Sequence, residues 1–140
     1  MSKTMILEIK SDLKELEKVR KYIRDFCSKI EKFDSDDNRV NMIELGIHEL
    51  LVNIIKHANK GNPDKLIRIS ARLGHEQIIF ELFDNGISFN PEIVPLPQFD
   101  GSCENGFGIY ITRQIFNKVE YLQNKNQENH TILTFTIGDK

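Results

Sequence analysis

The feature that most constrains the fold is a run of apolar residues at helical spacing: Val40, Ile43, Ile47, Leu50, Leu51, Ile54, Ile55 and Ala58. At about 100° per residue these side chains fall on one arc of a single long helix, which must bury that arc against a partner layer. Glu49 and Asn53 stand beside the arc. Four residues apart, they share a helical face and can point into one site. A carboxylate paired with a carboxamide in this way points to a metal beside an activated hydroxyl. Gly46, Lys56 and His57 lie on the same polar side. A glycine inside a helix costs about 1 kcal/mol relative to alanine, and close approach of a ligand or another backbone would offset that. A solvated helix face with an incidental glycine explains the same residues, so the helix alone leaves both readings open.

The segments around this helix predict strands and further helices. Met5, Leu7 and Ile9 alternate with Ile6, Glu8 and Lys10, the pattern of a first strand with one apolar face. Ser11 is placed to cap a helix whose stripe, Leu13, Leu16, Val19, Ile23, Phe26 and Ile30, runs through about residue 32. The polar stretch after Phe33 separates this helix from the second, which ends at the breakers Asn59 to Pro63. Leu66 to Leu73 and Gln77 to Phe83 read as a hairpin joined by Gly74-His75-Glu76. Residues 85–105 hold three of the four prolines and predict a long loop. A loop of about 20 residues inside a compact domain is more often functional than idle. Phe107 to Phe116 resumes helical spacing, and Val119 to Leu122 and Thr131 to Ile137 read as closing strands around the turn Gln123 to Asn129.

Composition bounds the class. With 140 residues, 39% hydrophobic and 29% charged, the expectation is one domain over 1–140. A formal charge of −2 supplies no overall basic field for nucleic acid, which leaves a protein or small-molecule partner. Cys27 and Cys103 are too few for a disulfide scaffold and lack CxxC spacing, so both are expected as small side chains of the interior. The first ten residues lack the apolar run of a signal peptide, and no stretch of about 18 apolar residues occurs. The expectation is a cytoplasmic chain with no membrane span.

Spacing excludes several chemistries. His48-Glu49 begins a metalloprotease pattern, but Val52 stands where the second ligand belongs. Gly101 to Gly106 has P-loop glycine spacing, yet Phe107 and Gly108 replace the Lys and Ser/Thr that engage phosphate and Mg²⁺. Gly106-Phe107-Gly108 fails as a dinucleotide fingerprint, since Ile111 occupies the third glycine position.

Three pieces remain in order: Glu49 to Ala58, Asp84 to Pro91, and Gly106 to Arg113. Together they resemble the ATP-binding boxes of the Bergerat-fold superfamily of topoisomerases, chaperones, sensor histidine kinases and bacterial anti-sigma factor serine/threonine kinases. Within it, Glu49-Leu50-Leu51-Val52-Asn53-Ile54-Ile55-Lys56-His57-Ala58 is similar to the N box of the anti-sigma kinases. Asp84-Asn85-Gly86-Ile87-Ser88-Phe89-Asn90-Pro91 is similar to their first glycine box, and Asn105-Gly106-Phe107-Gly108-Ile109-Tyr110-Ile111 to their second. The resemblance implies a two-layer α/β sandwich, a mostly antiparallel mixed sheet with helices on one face, binding ATP and Mg²⁺.

It also implies residue roles. Asn53 would supply an oxygen to Mg²⁺, and Glu49 would accept the proton of the attacking Ser or Thr hydroxyl. Asp84 would accept a hydrogen bond from the adenine amino group, with Thr131 helping to fix the base. Gly86, Gly106 and Gly108 would let backbone approach the nucleotide, the helix start near Gly108 facing phosphate. Lys56 would add a phosphate contact. Taken singly, Asp84 is an ordinary turn former, Lys56 a solvated lysine, His57 a residue packed beside the helix terminus and Arg113 a surface residue. Two positions depart from the pattern: Ser88 and His130 stand where glycines are common in the superfamily.

The activity implied is a protein kinase that phosphorylates a small antagonist protein and alternately sequesters a sigma factor, as a homodimer, with no direct contact to nucleic acid. No histidine occurs within 11–32, where a self-contained histidine kinase would need its phosphoacceptor. The alternatives are a nucleotide-sensing binding module with little or no catalysis, and an isolated ATPase or histidine-kinase-like catalytic domain serving another protein.

Overall fold

A computed structural model of the chain describes residues 4–60, 62–87, 107–124 and 127–138. Strand β1 (Thr4–Lys10) leads through a 3₁₀ turn (Leu13–Glu15) into α1 (Leu16–Ser28), followed by α2 (Asn38–Asn53) and one π-helical turn (Ile54–Ala58). Then come β2 (Leu66–Gly74), β3 (Gln77–Asp84), α3 (Phe107–Ile115), β4 (Lys118–Gln123) and β5 (Asn129–Thr136). The five strands form one sheet in the order β1-β2-β3-β5-β4, and all four pairings are antiparallel.

Strand alternation sets the layers. Ile67, Ile69 and Ala71 of β2, Ile78, Phe80 and Leu82 of β3, and Leu133 and Phe135 of β5 are buried, while most of their chain neighbours are more exposed. Side chains two apart share one face of a strand, so this is the face that the helices cover. Phe80, near the middle of the sheet, makes edge contacts with Phe26 of α1 and with Phe116 just beyond α3, with centroids 6.2 Å and 6.1 Å away. The fold is thus the expected α/β architecture, with helices on one face of an antiparallel sheet. Cys27 is buried here as expected, and burial pushes its thiol up to about 12, out of reach of thiolate chemistry near neutral pH. Cys103 lies outside the described residues.

The element ends differ from expectation for local reasons. Ser11 does not cap the first helical segment; Asp12 does, accepting from Lys14 N at 3.0 Å. Ser11 is buried, and its hydroxyl accepts from Asn59 Nδ2 at 2.8 Å. Helix α1 stops at Ser28 instead of running to residue 32, and tight turns carry Ile30 and Phe33 into the core. Helix α2 begins at an Asp37 cap that Arg39 grips through both carboxylate oxygens. Its α-helical hydrogen bonding ends at Asn53. The next turn is wider, with Asn59 N donating to Ile54 O at 2.9 Å, so Ile54, Ile55 and Ala58 stay buried while the helix end is re-aimed. Strand β5 begins at Asn129, two residues before the predicted Thr131. Among the described residues, no helix is long and apolar enough to cross a membrane.

Candidate active site

The site is built along one side of α2 and its π-helical end. Glu49 and Asn53 stand on that side, and Asn53 Nδ2 donates to Glu49 O at 2.8 Å. That bond uses the amide end of the side chain and leaves the carboxamide oxygen as the atom able to hold a cation. Gly108, in the first turn of α3, lies against both residues. A Cβ at Gly108 would stand 2.9 Å from Glu49 Oε2 and 3.2 Å from Asn53 Nδ2, so any larger residue would push these two side-chain ends out of place. The predicted pair therefore meets the start of the predicted second box. Gly106 falls outside the described residues, as does the segment 88–106 that carries most of the predicted loop.

Helix α3 is held in this position by Thr112 and Phe116. The fully buried Thr112 hydroxyl lies 2.8 Å from Gly46 O and 3.1 Å from Gly108 O. Gly46 faces Phe116, whose ring would be 2.7 Å from an added Cβ. The close approach predicted at Gly46 is thus a helix contact, not a ligand contact.

At the other end of the helix the turn after β3 docks on the π-helical segment. Ile87 N donates to Ala58 O at 2.7 Å, and Gly86 packs so tightly that a Cβ would overlap the Ala58 carbonyl and the Asn59 carboxamide oxygen. Asp84 closes β3 as its last inward-facing residue, only 3% exposed. Its Oδ2 accepts from Gly86 N at 3.0 Å and from Asn129 Nδ2 at 3.1 Å. Burial raises the proton affinity of this carboxyl, and the two hydrogen bonds oppose that rise. Asn129 is the cross-strand partner of Asp84, and Thr131 that of Leu82. Thr131 is buried on the same inward face, two residues further along β5.

The remaining predicted residues fall elsewhere. Lys56 is exposed on the α1 side of α2, in a groove of about 380 Å³ shared with Leu13, Leu16 and Val52. His130 points to the opposite face of the sheet, stacked on Phe83 at 4.2 Å with Nε2 2.6 Å from Glu81, so it does not crowd Asp84. Glu49 also borders a groove of about 340 Å³ between α1 and α2, lined in part by Arg20, Glu44 and His48. Sequence reasoning missed Asn129, Thr112 and Asn59. The first could have been found as a polar residue in step with the inward series Thr131, Leu133 and Phe135. The other two carry no local signal.

Residues 9–136 match a family model described as "Histidine kinase-like ATPase domain". Among solved structures the chain is similar to the catalytic domain of histidine kinase ThkA in a nucleotide-free form, with a TM-score of 0.56 at 15% identity over 97% of this chain and 99% of that one. It is also similar to Acinetobacter baumannii histidine kinase AdeS, with a TM-score of 0.49 at 17% identity over 98% of this chain and 68% of that one. At 15% identity the first likeness speaks to the fold alone. Comparison with curated proteins found no match.

Proposed function

The chain belongs to the histidine kinase-like ATPase family, and from that membership we propose that it is an ATP-dependent phosphotransfer domain whose site runs along α2 from Glu49 to Ala58. The observation that carries this reading is the double docking on one helix, with Gly108 against Glu49 and Asn53 and Gly86 against Ala58. The step from Glu49 to Ala58 spans roughly 13 Å at about 1.5 Å per residue. That length accommodates a nucleotide with its base at Asp84 and its phosphates at the start of α3. We read residues 1–140 as one such domain, on the strength of a family match covering 9–136.

In this reading Asp84 accepts from the adenine amino group, and Thr131 lines the same inward face. Asn53 would hold Mg²⁺ through its carboxamide oxygen, a hard donor of the kind this cation takes. Mg²⁺ supplies charge neutralisation at the phosphates. Glu49 takes the proton of an acceptor hydroxyl entering from the groove along α1 and α2. The hydroxyl oxygen forms a bond to the γ-phosphorus while the bond to the bridging oxygen breaks, releasing ADP. Lys56, exposed on the α1 side, reaches phosphate only by extending around the helix.

For the acceptor, the three sequence boxes support a serine or threonine of a small antagonist protein, with a sigma factor as the alternate partner. A histidine-kinase-like or ATPase domain serving another protein is the second reading, and it is the one the family match favours. The bond formed separates them. Incubation with γ-labelled ATP and a co-encoded antagonist is expected to yield label on the antagonist that survives acid, as a phosphoester does. Acid-labile, base-stable label would mark phosphohistidine, and release of inorganic phosphate alone would mark an ATPase. Tight ATP binding without either would leave a nucleotide-sensing binding module.

A homodimer through the first strand and helix belongs to the same reading. Strand β1 is an edge of the sheet, and Ile6 and Leu13 are 67% and 47% exposed. Light scattering at high micromolar concentration should report a dimer mass, and a monomer there rejects this assembly.

A further inference from the structure

We propose that Asn129 is a positioning residue for base recognition: its carboxamide holds Asp84 as a hydrogen-bond acceptor and so sets the preference of the site for a purine carrying a 6-amino group. This rests on the reading of Asp84 as the adenine acceptor, and it assigns a role to a residue outside the three boxes.

Asn129 is 2% exposed, and as the first residue of β5 it pairs with Asp84 on one side and Gln123 on the other. A carboxamide has a donor end and an acceptor end, and its surroundings decide which way it points. Its Oδ1 accepts from the Tyr121 hydroxyl and lies 3.5 Å from Gln123 Nε2. Its Nδ2 faces three oxygens: Asp84 Oδ2 at 3.1 Å, Gly86 O at 3.0 Å and Ile87 O at 3.1 Å. A flipped amide would set an oxygen against a carboxylate and two carbonyls, which only accept, so the orientation is single. Aspartate in its place would repel Asp84, and an aliphatic residue would leave buried polar groups on both sides unpaired.

The consequence falls on Asp84. Asn129 Nδ2 and Gly86 N both address Oδ2, and Oδ1 takes no hydrogen bond from the described residues. In this reading the carboxylate, held through Oδ2, offers its other oxygen to a ligand donor. An adenine amino group donates to it, whereas the O6 of guanine is an acceptor that a carboxylate repels. The carboxyl is buried, with Lys65 ahead of β2 as the nearby cation favouring its charge and Glu128 ahead of β5 opposing it. Without Asn129 the carboxyl holds its proton to higher pH, and a protonated Asp84 presents a donor where the site needs an acceptor.

The test compares ATP with purine riboside triphosphate, which lacks only the 6-amino group, in binding titrations over a pH series from mildly acidic to mildly alkaline, because a carboxyl of raised proton affinity loses its charge on the acid side. The unaltered chain is expected to favour ATP by about tenfold or more, the scale of a hydrogen bond to a charged group. Asn129→Ala is expected to bring that ratio below about threefold, and to move the acid fall-off of ATP affinity to higher pH. Tyr121→Phe, which leaves Asn129 in place but removes a donor that orients it, should give an intermediate ratio. If either variant weakens both nucleotides equally and the ratio stands, Asn129 merely holds the turn and the inference is overturned. Should Asn129→Ala fail to fold, the Tyr121→Phe ratio decides in the same way. An unaltered chain that binds both nucleotides equally sinks the reading of Asp84 itself, a result distinct from a preference that survives the substitutions.

Discussion

Glu49→Gln is expected to lower phosphate transfer by about 10²- to 10⁴-fold while ATP affinity changes little. Glutamine matches glutamate in shape, so the contact with Gly108 and the packing of α2 on α3 are kept. It cannot accept a proton. Glu49 sits between Gly108 and the groove along α1, and in the proposed reading an acceptor hydroxyl enters from that groove while the nucleotide phosphates lie at the start of α3. Single-turnover transfer from γ-labelled ATP, measured beside equilibrium nucleotide titration, separates the two quantities. Equal losses in both would place Glu49 in nucleotide binding instead of proton transfer. The prediction holds whether the acceptor is a protein hydroxyl or water, since both must lose a proton.

Gly86→Ala carries the second large expectation: ATP affinity lower by about 10- to 100-fold, and stability lower by about 1–3 kcal/mol, the range for overpacking a tight interior contact. The reason is space. Gly86 does not lie in the left-handed region, but an added Cβ would run into the Ala58 carbonyl, and backbone cannot swing aside as a flexible side chain can. The turn would have to lift from the π-helical segment. Lifting it stretches the bond from Ile87 N to Ala58 O and those from Asn129 Nδ2 to Gly86 O and Ile87 O, so Asp84 loses its fixed position. Gly138→Ala serves as the control, because no described residue lies within 4 Å of its added Cβ. Calorimetric titration and denaturant melts read the two effects, and unchanged affinity in Gly86→Ala would remove this turn from the nucleotide site.

Much of the site is legible in the order of residues alone. The helical period places Glu49 and Asn53 together, since side chains four apart on a helix must share a face. Strand alternation through Ile78, Phe80 and Leu82 continues to Asp84, which makes it a buried carboxyl at the end of an apolar face. The boxes are less informative about which glycine does what. Gly46, Gly86 and Gly108 look alike in sequence, yet the first meets Phe116, the second the Ala58 carbonyl, and the third Glu49 and Asn53. Lys56 illustrates the converse: simple helical periodicity puts it beside Asn53, but it lies beyond the change to a wider turn and lines the groove against α1.

The periodic elements, the face of α2 that holds Glu49 and Asn53, and the inward direction of Asp84 all follow from the amino-acid order. They rest on local geometry, in which a side chain's direction depends on its distance along the same helix or strand. Three other features come from packing across the fold: Asn129 stands against Asp84, α3 brings Gly108 onto Glu49, and the turn at Gly86 docks on the end of the helix. Each depends on the register and contact of segments far apart in the chain, where no local period reaches. Asp84 and Asn129 are 45 residues apart, and only the pairing of β3 with β5 turns an inward carboxylate into an oriented one.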